Sequence, residues 1–219
     1  MRRQRGSPPT SSYTVSEALN RLAAGAKLIL GRALEASELD AFDRYLGLLQ
    51  KWQRVQRLIG SPDPGWIVEN LFLDSLLFLL VLPKASTTIC DVGTGAGFPG
   101  IPIRIVRSEL RVTLIEARQR RASFLSEAIR VLDLRDVTVS TNRVEDAGPE
   151  MVASFSAALL RCAGSMADLL NPVKRLMAPG GIVIWAGPPG RHSLPAGGEW
   201  LEVPGTSQGR SRLFAVFHV

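Results

Sequence analysis

Two rhythms of hydrophobic spacing divide the chain. Through residues 14–82 the apolar positions recur at helical intervals. Leu39, Phe42, Leu46 and Leu49 form one stripe, which Leu48, Trp52 and Val55 widen into a buried face. Ser37 is placed to cap this helix, and Gly60-Ser61-Pro62 to end it. A second helix is predicted to start near Pro64 and to run to Leu82, where Pro83 follows.

From Thr87 onward short β-rich runs alternate with helical ones. Strands are predicted at 87–92, 111–115, 137–140, 156–160 and 182–186, with helices at about 99–107, 118–132 and 166–177. Two last strand-like pieces lie at 201–203 and 213–219. Strands alternating with helices predict an α/β fold, a doubly wound, mainly parallel sheet covered on both faces. The closing pair is expected to form an antiparallel edge. The organisation expected is a flexible basic tail at 1–13, a helical N-terminal extension at 14–84 and a Rossmann-like α/β domain at 85–219.

Composition narrows the class only a little. A chain of 219 residues that is 46% hydrophobic can bury a sizeable core. Its formal net charge of +6, carried mostly by arginine, fits a polyanionic partner such as RNA. Cys90 and Cys162 lie far apart in apolar runs, without metal-ligand or disulfide-scaffold spacing, and read as packing residues of a reduced, cytoplasmic protein; no metal site is expected. The amino terminus has no apolar core of a signal peptide, and the run 71–82 is short and interrupted by Asp74, so no membrane insertion is expected.

The chemistry is concentrated in Cys90-Asp91-Val92-Gly93-Thr94-Gly95-Ala96-Gly97-Phe98-Pro99-Gly100. Strand, glycine-rich turn and helix follow in that order, which places the turn at the carboxyl edge of the sheet, where such folds bind ligands. Gly93, Gly95 and Gly97 lack the side chains that would keep a ligand from the backbone. Gly95, Gly97 and Gly100 also satisfy the dinucleotide signature G-x-G-x-x-G. Asp91 argues otherwise: a carboxylate at the strand end pairs with the ammonium of S-adenosylmethionine and would repel a pyrophosphate. Glu116, ending the next strand, is placed to accept hydrogen bonds from a ribose in either case.

From Asp91 to Ile105 the letters DVGTGAGFPGIPIRI closely resemble the motif of the bacterial small-subunit rRNA methyltransferase G family, also called glucose-inhibited division protein B. LIEARQRRASFLSEAIRVLDL, NRVED, LRCAGSM, the Leu73-Asp74-Ser75-Leu76 segment and Trp52 extend the resemblance over most of the chain. The resemblance implies a class I methyltransferase sheet, S-adenosylmethionine as cofactor and N7 of a guanine in 16S rRNA as target, reached as free RNA or in the small ribosomal subunit. It further implies that Gly93 and Phe98 line the cofactor site, that Val144 and Glu145 meet the adenine, and that Arg161 borders the cofactor near the substrate.

The chain departs from the family pattern at Gln53 and Arg57, where asparagines are usual, at Asn70 and Leu71, in place of an Arg-His pair, and at Ala186, where a lysine is frequent. Guanine N7 has a free lone pair and needs no base, in keeping with the lack of an obvious catalytic His or Cys; His192 and His218 read as incidental. Arg54, Arg57, Arg118, Arg120 and Arg121 are candidates for phosphate contact, and a monomer is expected. Two other readings stay open at this level: an RNA-binding protein that keeps the cofactor fold without turnover, and a nicotinamide-dependent oxidoreductase.

Overall fold

The computed structural model describes residues 13–161, 164–187, 190–206 and 209–219, so the basic tail at 1–12 and Cys162 lie outside it. Helix α1 (Val15–Leu30) begins at a reciprocal cap: the Glu17 N–H donates to Thr14 Oγ1 at 3.2 Å, and the Thr14 N–H to Glu17 Oε2 at 2.8 Å. Helix α2 (Ala36–Gln53) starts one residue before Ser37, so Ser37 lies inside its first turn and does not cap it. Glu38 sets that start instead: it accepts from the Glu35 N–H at 2.7 Å and pairs with Arg32 at 2.6 Å.

Helix α2 also stops earlier than Gly60. The Gln53 side chain accepts from the N–H groups of Leu58 and Ile59, at 2.8 and 3.0 Å, and donates to the Ile59 carbonyl at 2.9 Å, folding residues 54–60 around itself. The next helical run is continuous from 64 to 80 but not uniform. It passes from α3 (Pro64–Ile67), capped by Asp63, through a π-helical turn (Val68–Leu73) and α4 (Asp74–Leu76) into a 3₁₀ turn (Leu77–Leu80). The π turn inserts a residue into the helical phase and sets where Asp74 points.

The sheet has seven strands in the order β3-β2-β1-β4-β5-β7-β6. Strands β1 (Thr88–Val92), β2 (Arg111–Ile115), β3 (Val137–Ser140), β4 (Phe155–Arg161) and β5 (Met177–Ala186) are parallel. β6 (Gly198–Pro204) and β7 (Ser211–His218) close the edge, with β7 antiparallel to both β5 and β6. This is the class I methyltransferase sheet; the antiparallel β7 separates it from the dinucleotide-binding order of six parallel strands and removes the oxidoreductase reading.

Alternation along β1 sends Ile89 and Asp91 to one face and Cys90 and Val92 to the other. On the first face α5 (Gly100–Val106) and α6 (Gln119–Val131) pack with the extension in one continuous core that includes Leu22, Phe42, Phe72, Ile89, Leu114 and Val216. On the second, α7 (Met166–Leu176) covers Cys90, Val92, Trp185 and Phe217. Phe42, Tyr45 and Phe72 are each 0% exposed. Tyr45 and Phe72 reach Phe98 across the boundary, with ring centroids 5.4 and 6.1 Å away, and each such buried side chain contributes about 1.5–3 kcal/mol. Among the described residues no helix is long and apolar enough to cross a membrane.

Candidate functional site

Asp91, the fourth residue of β1, ends up wholly buried beneath the turn it introduces. Its Oδ2 accepts from Thr94 Oγ1 at 2.5 Å and from the Gly100 N–H at 2.7 Å. The carboxyl therefore caps α5 from nine residues upstream, and Pro99 stands just before that helix with no N–H to satisfy. Oδ1 is buried without a partner. Burial pushes the carboxyl up to about 7; the bonds from Thr94 and Gly100 and the charge of Arg161 pull the other way, and Glu116 adds to the rise.

The turn needs glycine for two reasons. Gly97 has φ +93°, and a Cβ there would lie 2.4 Å from Ile101 Cδ1 and 2.8 Å from the Tyr45 hydroxyl. That hydroxyl comes from α2 and donates to the Ala96 carbonyl. The Tyr45 ring stacks on Phe98, with centroids 5.4 Å apart, so the extension braces the glycine turn from beneath.

Glu116 follows β2 and is 6% exposed. One carboxylate oxygen accepts from the Gly95 N–H at 3.1 Å and lies 3.5 Å from Arg121 Nη1, while the other accepts from the Arg118 N–H at 2.9 Å. Beyond β3 a 3₁₀ turn (Val144–Asp146) brings Val144 and Glu145 to the same edge. A cleft of about 280 Å³ gathers Gly93, Glu116, Val144 and Glu145, with Arg118, Arg121, Asn142, Arg143 and Leu169 completing its walls.

Phe98 and Arg161 stand outside these walls. Phe98 is buried, and Arg161 lies over its ring at 6.0 Å. The Arg161 guanidinium pairs with Asp74 at 3.1 Å and donates to the Asn70 carbonyl at 2.6 Å, leaving Nη1 buried and unpartnered. Asp74 also pairs with Arg212, its Oδ1 3.2 Å from Nε and its Oδ2 accepting from Nη2 at 3.5 Å. One carboxylate from the extension thus bridges arginines at the ends of β4 and β7.

Of the residues proposed from sequence, the structure brings Gly93, Gly95, Gly97, Glu116, Val144 and Glu145 together around the cleft and its turn, with Asp91 beneath. Tyr45, Asp74 and Arg212 were not singled out for the site, and Arg121, expected to contact phosphate, reaches the Glu116 carboxylate. A tyrosine within an apolar stripe was the available signal for the first, because a buried hydroxyl needs a partner. Four of the five departures from the family pattern have internal duties, and the fifth, Arg57, is exposed. Gln53 closes its loop, Asn70 donates to the Trp66 carbonyl at 3.0 Å, and Leu71 and Ala186 are buried. His192 and His218 sit beside Trp200 and Glu199 and do not line the cleft.

The chain's relatives agree with one another. The family described as rRNA small subunit methyltransferase G matches residues 38–186. The protein named ribosomal RNA small subunit methyltransferase G of Roseiflexus sp. (strain RS-1) is 40% identical over 141 residues, 64% of this chain and 60% of that protein. Its namesake from Xanthomonas euvesicatoria pv. vesicatoria (strain 85-10) is 35% identical over 168 residues, 74% of this chain and 77% of that one. The matched region is therefore less than two thirds of the Roseiflexus protein. Two solved structures share the fold. A SAM dependent methyltransferase from Aquifex aeolicus has a TM-score of 0.52 and 20% identity, covering 71% of this chain and 93% of its own. P. horikoshii TYW2 in complex with MeSAdo has a TM-score of 0.52 and 14% identity, covering 74% and 64%.

Proposed function

Because this chain belongs to the rRNA small subunit methyltransferase G family, we propose that it transfers a methyl group from S-adenosylmethionine to N7 of a guanine in 16S rRNA. It acts as a monomer in the cytoplasm on the small ribosomal subunit or its RNA. The observation that carries the reading is a pair of carboxylates at one sheet edge: Asp91, with Oδ1 buried and unpartnered beside a side-chain-free turn, and Glu116 at the head of the next strand.

The residues fit the cofactor. Asp91 Oδ1 is an acceptor lacking a donor, which suits the ammonium of the amino-acid end. Ribose hydroxyls can replace the 3.5 Å contact of Arg121 on Glu116. Val144 offers an apolar wall and Glu145 a polar rim to the adenine. Gly93, Gly95 and Gly97 let the backbone come close, and Phe98 and Arg161, which stack outside the cleft walls, would border the end nearest the substrate.

When bound, S-adenosylmethionine supplies an electrophilic methyl group on a sulfonium. Guanine N7 would attack the methyl carbon through a lone pair in the plane of the base as the methyl–sulfur bond breaks, leaving S-adenosylhomocysteine as a neutral thioether. The positive charge would pass to the base, so no side chain has to remove a proton. The protein contributes geometry: it holds the two reactants in line and keeps water out, which lowers the barrier by reducing the entropy still to be lost. This chemistry asks for no His or Cys beside the cleft.

The test is incubation of the purified protein with small ribosomal subunits lacking N7-methylguanosine and methyl-labelled cofactor, followed by nucleoside mass spectrometry. The expected product is labelled N7-methylguanosine in 16S rRNA. No transfer, or label on another atom or another RNA, contradicts the proposal.

A further inference from the structure

The arginines around the cleft are placed at a cost to the fold. Arg118 is the residue before α6, Arg120 and Arg121 lie in its first turn, and that turn has no acidic residue. The amino end of a helix carries about half a positive charge, so each cation there is unfavourable. Glu116 answers Arg121 and the Arg118 N–H but not the Arg118 and Arg120 guanidinium groups, and a local rule broken there without a compensating contact points to function.

Arg57, in the loop after α2, faces the same cluster. With Gln56, Leu58, Arg118, Arg120 and Arg121 it lines a shallow groove of about 350 Å³. Gln56 Nε2 donates to the Arg120 carbonyl at 3.3 Å, which fixes the loop against α6 and holds the groove in shape. Arg118 and Arg121 line both this groove and the cofactor cleft, so the two are continuous, and Arg143 stands on the cleft wall. Arg57, Arg118, Arg120 and Arg143 are exposed and have no acidic partner among the described residues; Arg121 alone reaches one, Glu116.

We propose that this groove docks the phosphodiester backbone of the substrate RNA and leads it to the cofactor cleft, an inference that rests on the RNA methyltransferase reading above. Every cation in it is an arginine, whose planar fork matches two phosphate oxygens at once, where lysine would offer only a point charge. Phosphate contacts set position without reading sequence. The groove therefore supplies affinity and register, and choice of the target guanine falls to the cleft.

The experiment is a fluorescence anisotropy titration of labelled, transcribed 16S rRNA with the full chain across a range of salt concentrations. The double variant Arg57→Gln/Arg120→Gln removes two exposed charges and leaves the cofactor cleft intact. Its plot of log affinity against log salt is expected to be shallower by about two, one for each lost contact. Affinity for S-adenosylmethionine is expected to be unchanged. An unaltered salt slope overturns the proposal. So does tighter binding of the wild type to phosphatidylglycerol vesicles than to RNA at the same salt, which would assign the groove to a lipid surface. The two readings fail separately. A wild type that methylates 16S rRNA, with a double variant of unaltered slope, refutes the groove alone. A wild type that loses RNA binding with these arginines but transfers no methyl keeps the groove and refutes the activity.

Discussion

Tyr45 donates its hydroxyl proton to the carbonyl of Ala96, and this one buried bond joins the helical extension to the glycine turn. Burial holds the phenol well above its ordinary range, so it is a neutral donor at any pH the protein meets. Tyr45→Phe keeps the ring stacked on Phe98 but strands a buried carbonyl. The expected loss is about 1–3 kcal/mol of stability, with cofactor affinity reduced as the turn relaxes. Urea unfolding and calorimetric titration check both; a variant equal to wild type in both would mean that the extension does not support the turn.

Asp91→Asn separates the capping role of this residue from its charge. The folded-state carboxyl keeps its proton up to about 7, whereas the unfolded chain releases it near 3.8, the ordinary value for an aspartate. Its contribution to stability is thus fully present below the lower value and is lost as pH rises through the upper one. An asparagine does not titrate, so the variant should gain in melting temperature relative to wild type between about pH 4 and about pH 7, with no further change above that. Cofactor affinity should move oppositely. In wild type it rises as the carboxyl ionises near pH 7, and in Asp91→Asn it stays low and flat. Parallel pH profiles for the two proteins would contradict the assignment of Oδ1 to the ammonium.

Asp74→Ala leaves the guanidinium groups of Arg161 and Arg212, 15% and 24% exposed, facing each other without their shared carboxylate. Removing one partner of a fully buried pair costs about 3–5 kcal/mol, and exposed pairs contribute roughly 0–1 kcal/mol. This half-buried bridge should fall between them. Because Arg161 would lose its place over Phe98, single-turnover methyl transfer is expected to fall further than cofactor affinity. Equal losses in the two would make Asp74 a matter of stability alone.

What the sequence disclosed follows the range over which each feature is encoded. β2 and β3 occupy 111–115 and 137–140 as predicted, because apolar runs bounded by turn residues are local signals. The glycine turn was equally local. Ser37 misled because residue preference alone favoured it as a cap, whereas Glu38, paired with Arg32, caps at Glu35 and starts the helix two residues earlier. The helix over 64–82 was legible in its period, but period does not distinguish an α turn from a π turn, which differ by one residue in the hydrogen-bond ladder. Strand β5 begins at Met177, ahead of Pro179-Gly180-Gly181, since pairing of Met177 with Phe155 overrides a local break. The contact of Asp74 with Arg212 spans 138 residues, and no local pattern announces it.

Gly97→Ala tests whether the turn is as crowded as the geometry demands. A methyl group would meet Ile101 and Tyr45 at 2.4 and 2.8 Å on a backbone with φ +93°. Strain of about 1–3 kcal/mol is expected from the dihedral alone, with loss of detectable cofactor binding. Gly180→Ala, also at positive φ but with open space around it, should lose stability from the dihedral and keep the cofactor. Similar cofactor binding by the two variants would count against the turn as a cofactor cradle.

The most direct test of the account is a crystal structure of the protein with S-adenosylhomocysteine. The account expects the ligand ammonium within hydrogen-bond distance of Asp91 Oδ1, the ribose hydroxyls on Glu116 in place of Arg121, and the adenine against Val144. A ligand bound elsewhere, or one in the cleft with its ammonium turned away from Asp91, would contradict it.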